Sequence, residues 1–173
     1  MTREDFQQLR AEPRPILGIS VKLVPPTGYY REERFINVGS NRWAGRLQLG
    51  AIFPLRPRWL LELDAGAWLF GDDEDYPGGR REQDPIYAFE AHLVHRLRPG
   101  LWGSLDVNWF TGGRQTIDGE ELEDFQRNAR IGATLAFPFL KRHAIKLGYS
   151  QGIRTEFGSD SEQVLVTYSV LLR

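Results

Sequence analysis

The chain contains no cysteine, so it can form neither disulfides nor a thiolate metal site. No run approaches the ~20 consecutive apolar residues of a transmembrane helix. A dominant sign of charge is also missing. Lys and Arg number 22 against 23 Asp and Glu, for a formal net charge of −1, and no global field draws the protein to nucleic acid. Methionine occurs once and histidine three times. The opening stretch MTREDFQQLRAE is charged and lacks the apolar centre of a secretory signal. None of these absences excludes a membrane β-barrel, because strict alternation keeps its mean hydropathy low.

Glycine (18 residues) and aromatic side chains (12%) are plentiful in the 173 residues, which suffice for one domain. A polar N-terminal segment over 1–14 precedes the expected barrel domain, 15–173. Eight strands are predicted, at 16–24, 41–53, 58–70, 85–97, 100–110, 127–137, 143–153 and 162–172. Most match the ~9–11 residues that cross a bilayer at a tilt. The connections alternate. PLRP (54–57), RP (98–99) and PFLKR (138–142) are tight, while 25–40, 71–84 and 111–126 are long and polar and 155–161 is intermediate. In an up-and-down meander, every second connection falls on the same rim. One rim therefore has tight turns and the other long loops, as in outer-membrane barrels. A lipocalin-like cup shares part of this pattern; a Greek-key sandwich does not.

Side chains on a strand alternate between two faces. In RWLLELDAGAWLF (58–70), the odd positions Trp59, Leu61, Leu63, Ala65, Ala67 and Leu69 are all apolar, whereas Glu62 and Asp64 stand on the even face. The same split recurs in the other strands. The even face carries Lys22, Arg46, Arg130 and Lys146 with Glu62, Asp64, Glu90 and Asp106, four charges of each sign, together with His92. Buried charges are tolerable when paired, so this balance suits a narrow lumen better than a solvated outer face. Asp106 and Arg130, on neighbouring strands, are an expected pair. On the odd face the aromatic residues lie toward strand ends: Trp43, Tyr87, Trp109 and Tyr149 toward the long loops, Phe53, Trp59 and Phe137 toward the tight turns. Aliphatic residues fill the middle, as between two membrane interfaces.

Several stretches, PPTGYY, INVGSNRW, QDPIYAFEAHL, RPGLWGSLD, GGRQTIDG, RNARIGATLAFP and RHAIKLGYSQGI, resemble in order and spacing the outer-membrane transporters grouped as the "MetA-pathway of phenol degradation". The resemblance covers about residues 2–155. It implies a barrel in the bacterial outer membrane that passes small solutes, with aromatic ones a candidate class. MTREDFQQLR resembles an internal family segment, so whether Met1 is the native start is not legible in the sequence. The terminal TYSVLLR departs from the aromatic-rich last strand of such proteins.

Catalytic signals are weak. His92 and Asp106 could pair near mid-depth, with Ser104 the nearest nucleophile, but a satisfied interior histidine is the simpler reading. His95 and His143 fall at the tight-turn rim, where solvation is expected. The run Asp72–Asp75 lacks the alternating ligand pattern of a calcium loop and reads as a solvated external loop. GGRR (78–81) and GGR (112–114) lack the strand–loop–helix setting of a phosphate cradle and read as mobile turns. The expectation is therefore an all-β, antiparallel up-and-down meander barrel of about eight strands, outer-membrane type. No catalytic residue, metal or cofactor is expected. The partners are a lipid bilayer and a small solute, and the oligomeric state is not legible. The alternative is a soluble barrel that binds an apolar ligand in its interior, with the leucines inward.

Overall fold

Alternation over long stretches, broken by Pro, Gly and Asp-Gly, produces eleven strands among the described residues. The computed structural model describes residues 14–34, 36–140, 142–158 and 160–171. The segment expected over 1–14, apart from Arg14, lies outside them. The strands are β1 (Ile16–Val24), β2 (Ala44–Arg56), β3 (Trp59–Phe70), β4 (Arg81–Gln83), β5 (Ile86–Arg98), β6 (Leu101–Gly112), β7 (Gln115–Ile117), β8 (Glu120–Glu121), β9 (Gln126–Phe139), β10 (His143–Arg154) and β11 (Gln163–Val170). Eight form one antiparallel sheet in the order β1-β2-β3-β5-β6-β9-β10-β11. Each long strand pairs with the next long strand in sequence, so the sheet is a meander. β2, β3, β5, β6, β9 and β10 have 12 to 14 residues. At ~3.3 Å per residue and a tilt of ~40°, such strands rise about 30–35 Å, enough for a hydrocarbon core.

Turn chemistry fixes the tight rim. Pro99–Gly100 joins β5 to β6, and Gly100 takes a φ of 79° that a side chain would resist. Arg58, between β2 and β3, adopts a φ of 75° without that freedom. Register shifts at Pro54/Arg56 and Arg96/Arg98 place bulges beside these turns.

The two faces differ as alternation requires. The buried apolar side chains among the described residues, Ala88, Val94 and Ala136, all lie at even positions. On the odd face Leu63, Leu105, Leu135 and Leu147 stand 40%, 64%, 43% and 41% exposed. An apolar interior with these leucines packed together is therefore not formed. The sheet curves with its even side inward, because even positions from β3, β5, β6, β9 and β10 gather around one cavity, joined by Gln163 and Leu165 of β11, where register reverses the parity. β1 and β11 are its edges and do not pair with each other among the described residues. The meander and strand number agree with expectation; closure of the eight strands on themselves is not seen.

A second, three-stranded sheet of β4, β7 and β8 lies in the loops of the long rim. Their polar composition predicts loops here, not strands. The signal was present in TIDGEE: Asp118 and Gly119 have φ values of 49° and 84°, the two left-handed positions of a tight hairpin turn.

Candidate functional site

The inner face is built in register rows. One row runs Glu62–His92–Asp106–Gly132–Ser150–Gln163 across six strands. A second, nearer the long loops, runs Gly50–Asp64–Glu90–Asn108–Arg130. Strand pairing thus brings residues distant in sequence into lateral contact, which is how a meander assembles a polar wall.

His92 Nδ1 lies 2.7 Å from Asp106 Oδ1, and Thr134 Oγ1 donates to Asp106 Oδ2 at 2.9 Å. His92 Nε2 sits 4.0 Å from Glu90. Arg46 Nη2 donates to Glu90 Oε1 at 3.2 Å, although β2 and β5 are separated by β3. Gly66 on β3 makes that crossing possible. A Cβ placed there would lie 3.4 Å from Arg46 Nε and 3.2 Å from the Leu47 carbonyl, so a larger side chain would block the path of the guanidinium. Asp64 accepts from Gln48 Nε2 at 2.9 Å, and its carboxylate lies over Gly50, where a Cβ would come within 2.7 Å.

Four of the expected charges are placed differently from simple acid–base pairing. Arg130 does not pair with Asp106. It donates to the Ser161 carbonyl at 2.7 Å, to Ser161 Oγ at 3.2 Å and to Ser150 Oγ at 3.3 Å. The register explains this. Arg130 faces Asn108, one inward row above Asp106, and that places it beside the loop between β10 and β11. Lys22 lies over the Trp68 ring, its Nζ 5.4 Å from the centroid, with Arg46 over the same ring at 5.8 Å. Neither Glu62 nor Lys146 has an ion-pair partner among the described residues, and both line the inner cavity.

Breaking the Arg46–Glu90 contact gives a measurable test. Both side chains are about a quarter exposed, so solvent screens the pair. Arg46→Met should destabilise the fold by about 1–2 kcal/mol, and adding Glu90→Leu should recover most of that loss. Denaturant titration of the four proteins reads the coupling; additive losses would mean the contact contributes nothing.

The rim loops hold a buried acid. Asp73, expected in a solvated loop, is 0% exposed. Asn41 Nδ2 donates to its Oδ1 at 2.9 Å, while Tyr30 and Arg81 donate to Oδ2 at 3.2 Å each. Backbone bonds tie Asp73 and Arg81 in both directions, at 2.9 and 3.0 Å. Arg42 is 9% exposed, lies over the Phe70 ring at 4.7 Å and donates to Gln83 of β4. Phe70 is an even, inward position, so β4 is fastened over the inner face. The run Asp72–Asp75 is a structural knot, and among the described residues no cluster of acids and histidines is arranged to hold a metal ion. Gly112 and Gly113 are buried at the base of this hood, where the Gly113 carbonyl accepts from Gln83 Nε2 at 3.1 Å, so this glycine pair shapes a packed turn.

Loss of solvent and the neighbouring Asp73 carboxylate push the Tyr30 phenol up to about 12, and burial brings the Arg42 guanidinium down to about 10. A folded pKa above the unfolded value means that the Tyr30 contribution is complete below pH 10 and is lost as pH rises toward 12. Alkaline titration should accordingly loosen the 71–84 loop between those limits, read as increased protease cleavage there; Tyr30→Phe should remove that pH step.

His95 and His143 stand half-buried at the tight-turn rim beside aromatic rings. The His95 ring sits 4.3 Å from Trp59, and His143 stacks on Tyr168 at 5.7 Å with a hydrogen bond to its hydroxyl. Of the odd-face aromatics, Trp43, Tyr87, Trp109 and Tyr149 are well exposed toward the long loops; at the tight rim Trp59 is 36% exposed, and Phe53 and Phe137 are half-buried. Phe139 and Tyr168 join the tight-rim group, their rings 6.4 Å apart.

A two-faced antiparallel meander with exposed leucines outside and ion pairs inside defines an outer-membrane type of β-protein. Residues 8–162 match the family model described as "Putative MetA-pathway of phenol degradation", and the chain belongs to that family. Its structure is similar to that of an outer membrane channel from Pseudomonas putida F1, with a TM-score of 0.80 and 26% sequence identity over 91% of this chain. The match spans 59% of the length of that channel. No curated protein matches the chain.

Proposed function

We propose that this chain forms the wall of a channel for small solutes in the bacterial outer membrane, with the even positions of the strands before β11 toward the lumen and their odd positions toward lipid. One observation carries the reading: within single strands, exposed leucines alternate with ion-paired and hydrogen-bonded polar residues. A soluble protein has no reason to display such a band, whereas a bilayer requires it. The aromatic residues flanking the aliphatic band suit the two interfaces, with Trp43, Tyr87, Trp109 and Tyr149 at the outer one and Phe53, Trp59 and Phe137 at the inner. Lys22, Arg46, Glu62, Asp64, Glu90, His92, Asp106, Arg130 and Lys146 are the charged lining. An unpaired strand edge is not viable in lipid, so the reading includes further strands that cover β1 and β11. The greater length of the similar channel supports this. No catalytic role is assigned to His92. Its ring nitrogens face carboxylates, and Ser104 lies opposite Val94 rather than beside the imidazole.

Purified protein in planar bilayers should give discrete conductance steps, and its mobility on SDS gels should shift only after heating. A monodisperse monomer without detergent, silent in bilayers, contradicts the proposal.

A further inference from the structure

We infer that the inner face holds a binding site for a small zwitterion with an apolar body, gripped between Glu62 and Lys146. Its place in a lumen rests on the channel reading; the binding itself can be measured without transport.

A cavity of about 540 Å³ opens on the concave side of the sheet, within the ~300–1,000 Å³ usual for small-molecule sites. Leu60, Val94, Trp102 and Leu165 give it an apolar floor. Two of its ionisable groups are already engaged, since Asp106 is held by His92 and Thr134. Arg96 is exposed at the tight-turn end, level with Trp102. That leaves Glu62 on β3 and Lys146 on β10, half-buried and without an ion-pair partner among the described residues.

Four strand spacings, ~19 Å across the sheet at ~4.8 Å each, and a register offset from Ser150 to Lys146, ~13 Å along the strand at ~3.3 Å per residue, separate them. Curvature shortens that span, since both line one cavity. A half-buried charge without a counter-charge is costly, and a ligand that supplies both counter-charges removes two such costs together. An ammonium group would meet Glu62 and a carboxylate Lys146, with the apolar body over Val94 and Trp102. Ser104, Asn108 and Thr134 border the same space and add uncharged hydrogen-bonding groups. A solute of one charge satisfies only half of this arrangement.

The test uses the full chain in detergent micelles and calorimetry with three probes of one shape: L-phenylalanine, phenethylamine and 3-phenylpropionate. L-phenylalanine should bind saturably, with each singly charged analogue weaker by about tenfold or more, as expected for loss of a hydrogen-bonded charge. Glu62→Gln and Lys146→Met should each weaken L-phenylalanine by a similar factor. Glu62→Gln should leave 3-phenylpropionate unchanged, while Glu62→Asp should retain part of the L-phenylalanine affinity. Equal affinity for the three probes, no saturable binding of L-phenylalanine, or indifference to both substitutions would overturn the site. Bilayer recordings on the same preparation separate the two readings. Conductance without L-phenylalanine binding sinks the site alone, and binding that follows this pattern without conductance supports the site and sinks the channel.

Discussion

Leu105→Arg should destabilise the protein in a bilayer by about 2–4 kcal/mol, the cost of an arginine facing lipid near the midplane. Leu105 lies within β6 and is 64% exposed on the odd face. In a soluble protein an exposed position of this kind tolerates a charge within about 0.5 kcal/mol. The sign and size of the effect therefore report the solvent on that face. Arginine at Trp109, nearer the end of the strand, should cost less, because the penalty falls toward the interface. Reversible folding into phospholipid vesicles, titrated with denaturant, reads both. Losses that do not depend on depth would contradict the assignment.

Asp73→Ala should open the hood over the long-loop rim. The carboxylate is wholly buried and receives hydrogen bonds from Tyr30, Asn41 and Arg81. Removing it leaves Arg81, itself only 15% exposed at the side chain, without its ion-pair partner. Breaking a buried pair in this way costs about 3–5 kcal/mol. The loss should be local, since the eight-stranded sheet has its own hydrogen-bonded ladder. Limited proteolysis should cut the 71–84 loop in the variant and spare it in the parent, and the heat-dependent shift on SDS gels should persist. Equal resistance in both proteins would show that the knot does not hold the loop. Asp73→Asn keeps the shape and one accepting oxygen but turns an NH2 donor toward the donors on the other side, so it should lie between the two.

These expectations depend on features that differed in how legible they were. Strand positions were readable because alternation is local: 16–24 agrees at both ends, and 58–70 differs from Trp59–Phe70 by one residue. The orientation of Glu62, Asp106 and Lys146 followed from parity alone. Partners were less readable, because they depend on register and reach. Arg46 crosses β3 to Glu90 over Gly66, a contact that neighbour-by-neighbour reasoning cannot find. Strand order pairs Arg130 with Asp106, but a shift of one inward row turns it to Ser161. Asp73 was hidden for a different reason. Four consecutive acids look solvated, yet only one is buried among partners from three loop positions distant in sequence. The small β4-β7-β8 sheet was signalled by Asp118–Gly119, but flanking polar residues such as Glu120 and Glu121 masked the hairpin.

Absence of cysteine makes the central claim directly measurable, because any single cysteine introduced is the only label site. Fluorophores attached singly at positions 61, 63, 105, 135 and 147, and at 62, 106, 130 and 146, can be challenged with brominated lipid in vesicles. Strong quenching at the odd positions and little at the even ones is the predicted result. Lipid quenching of labels at 62 and 106 with none at 63 and 105 would contradict the orientation on which the channel wall depends.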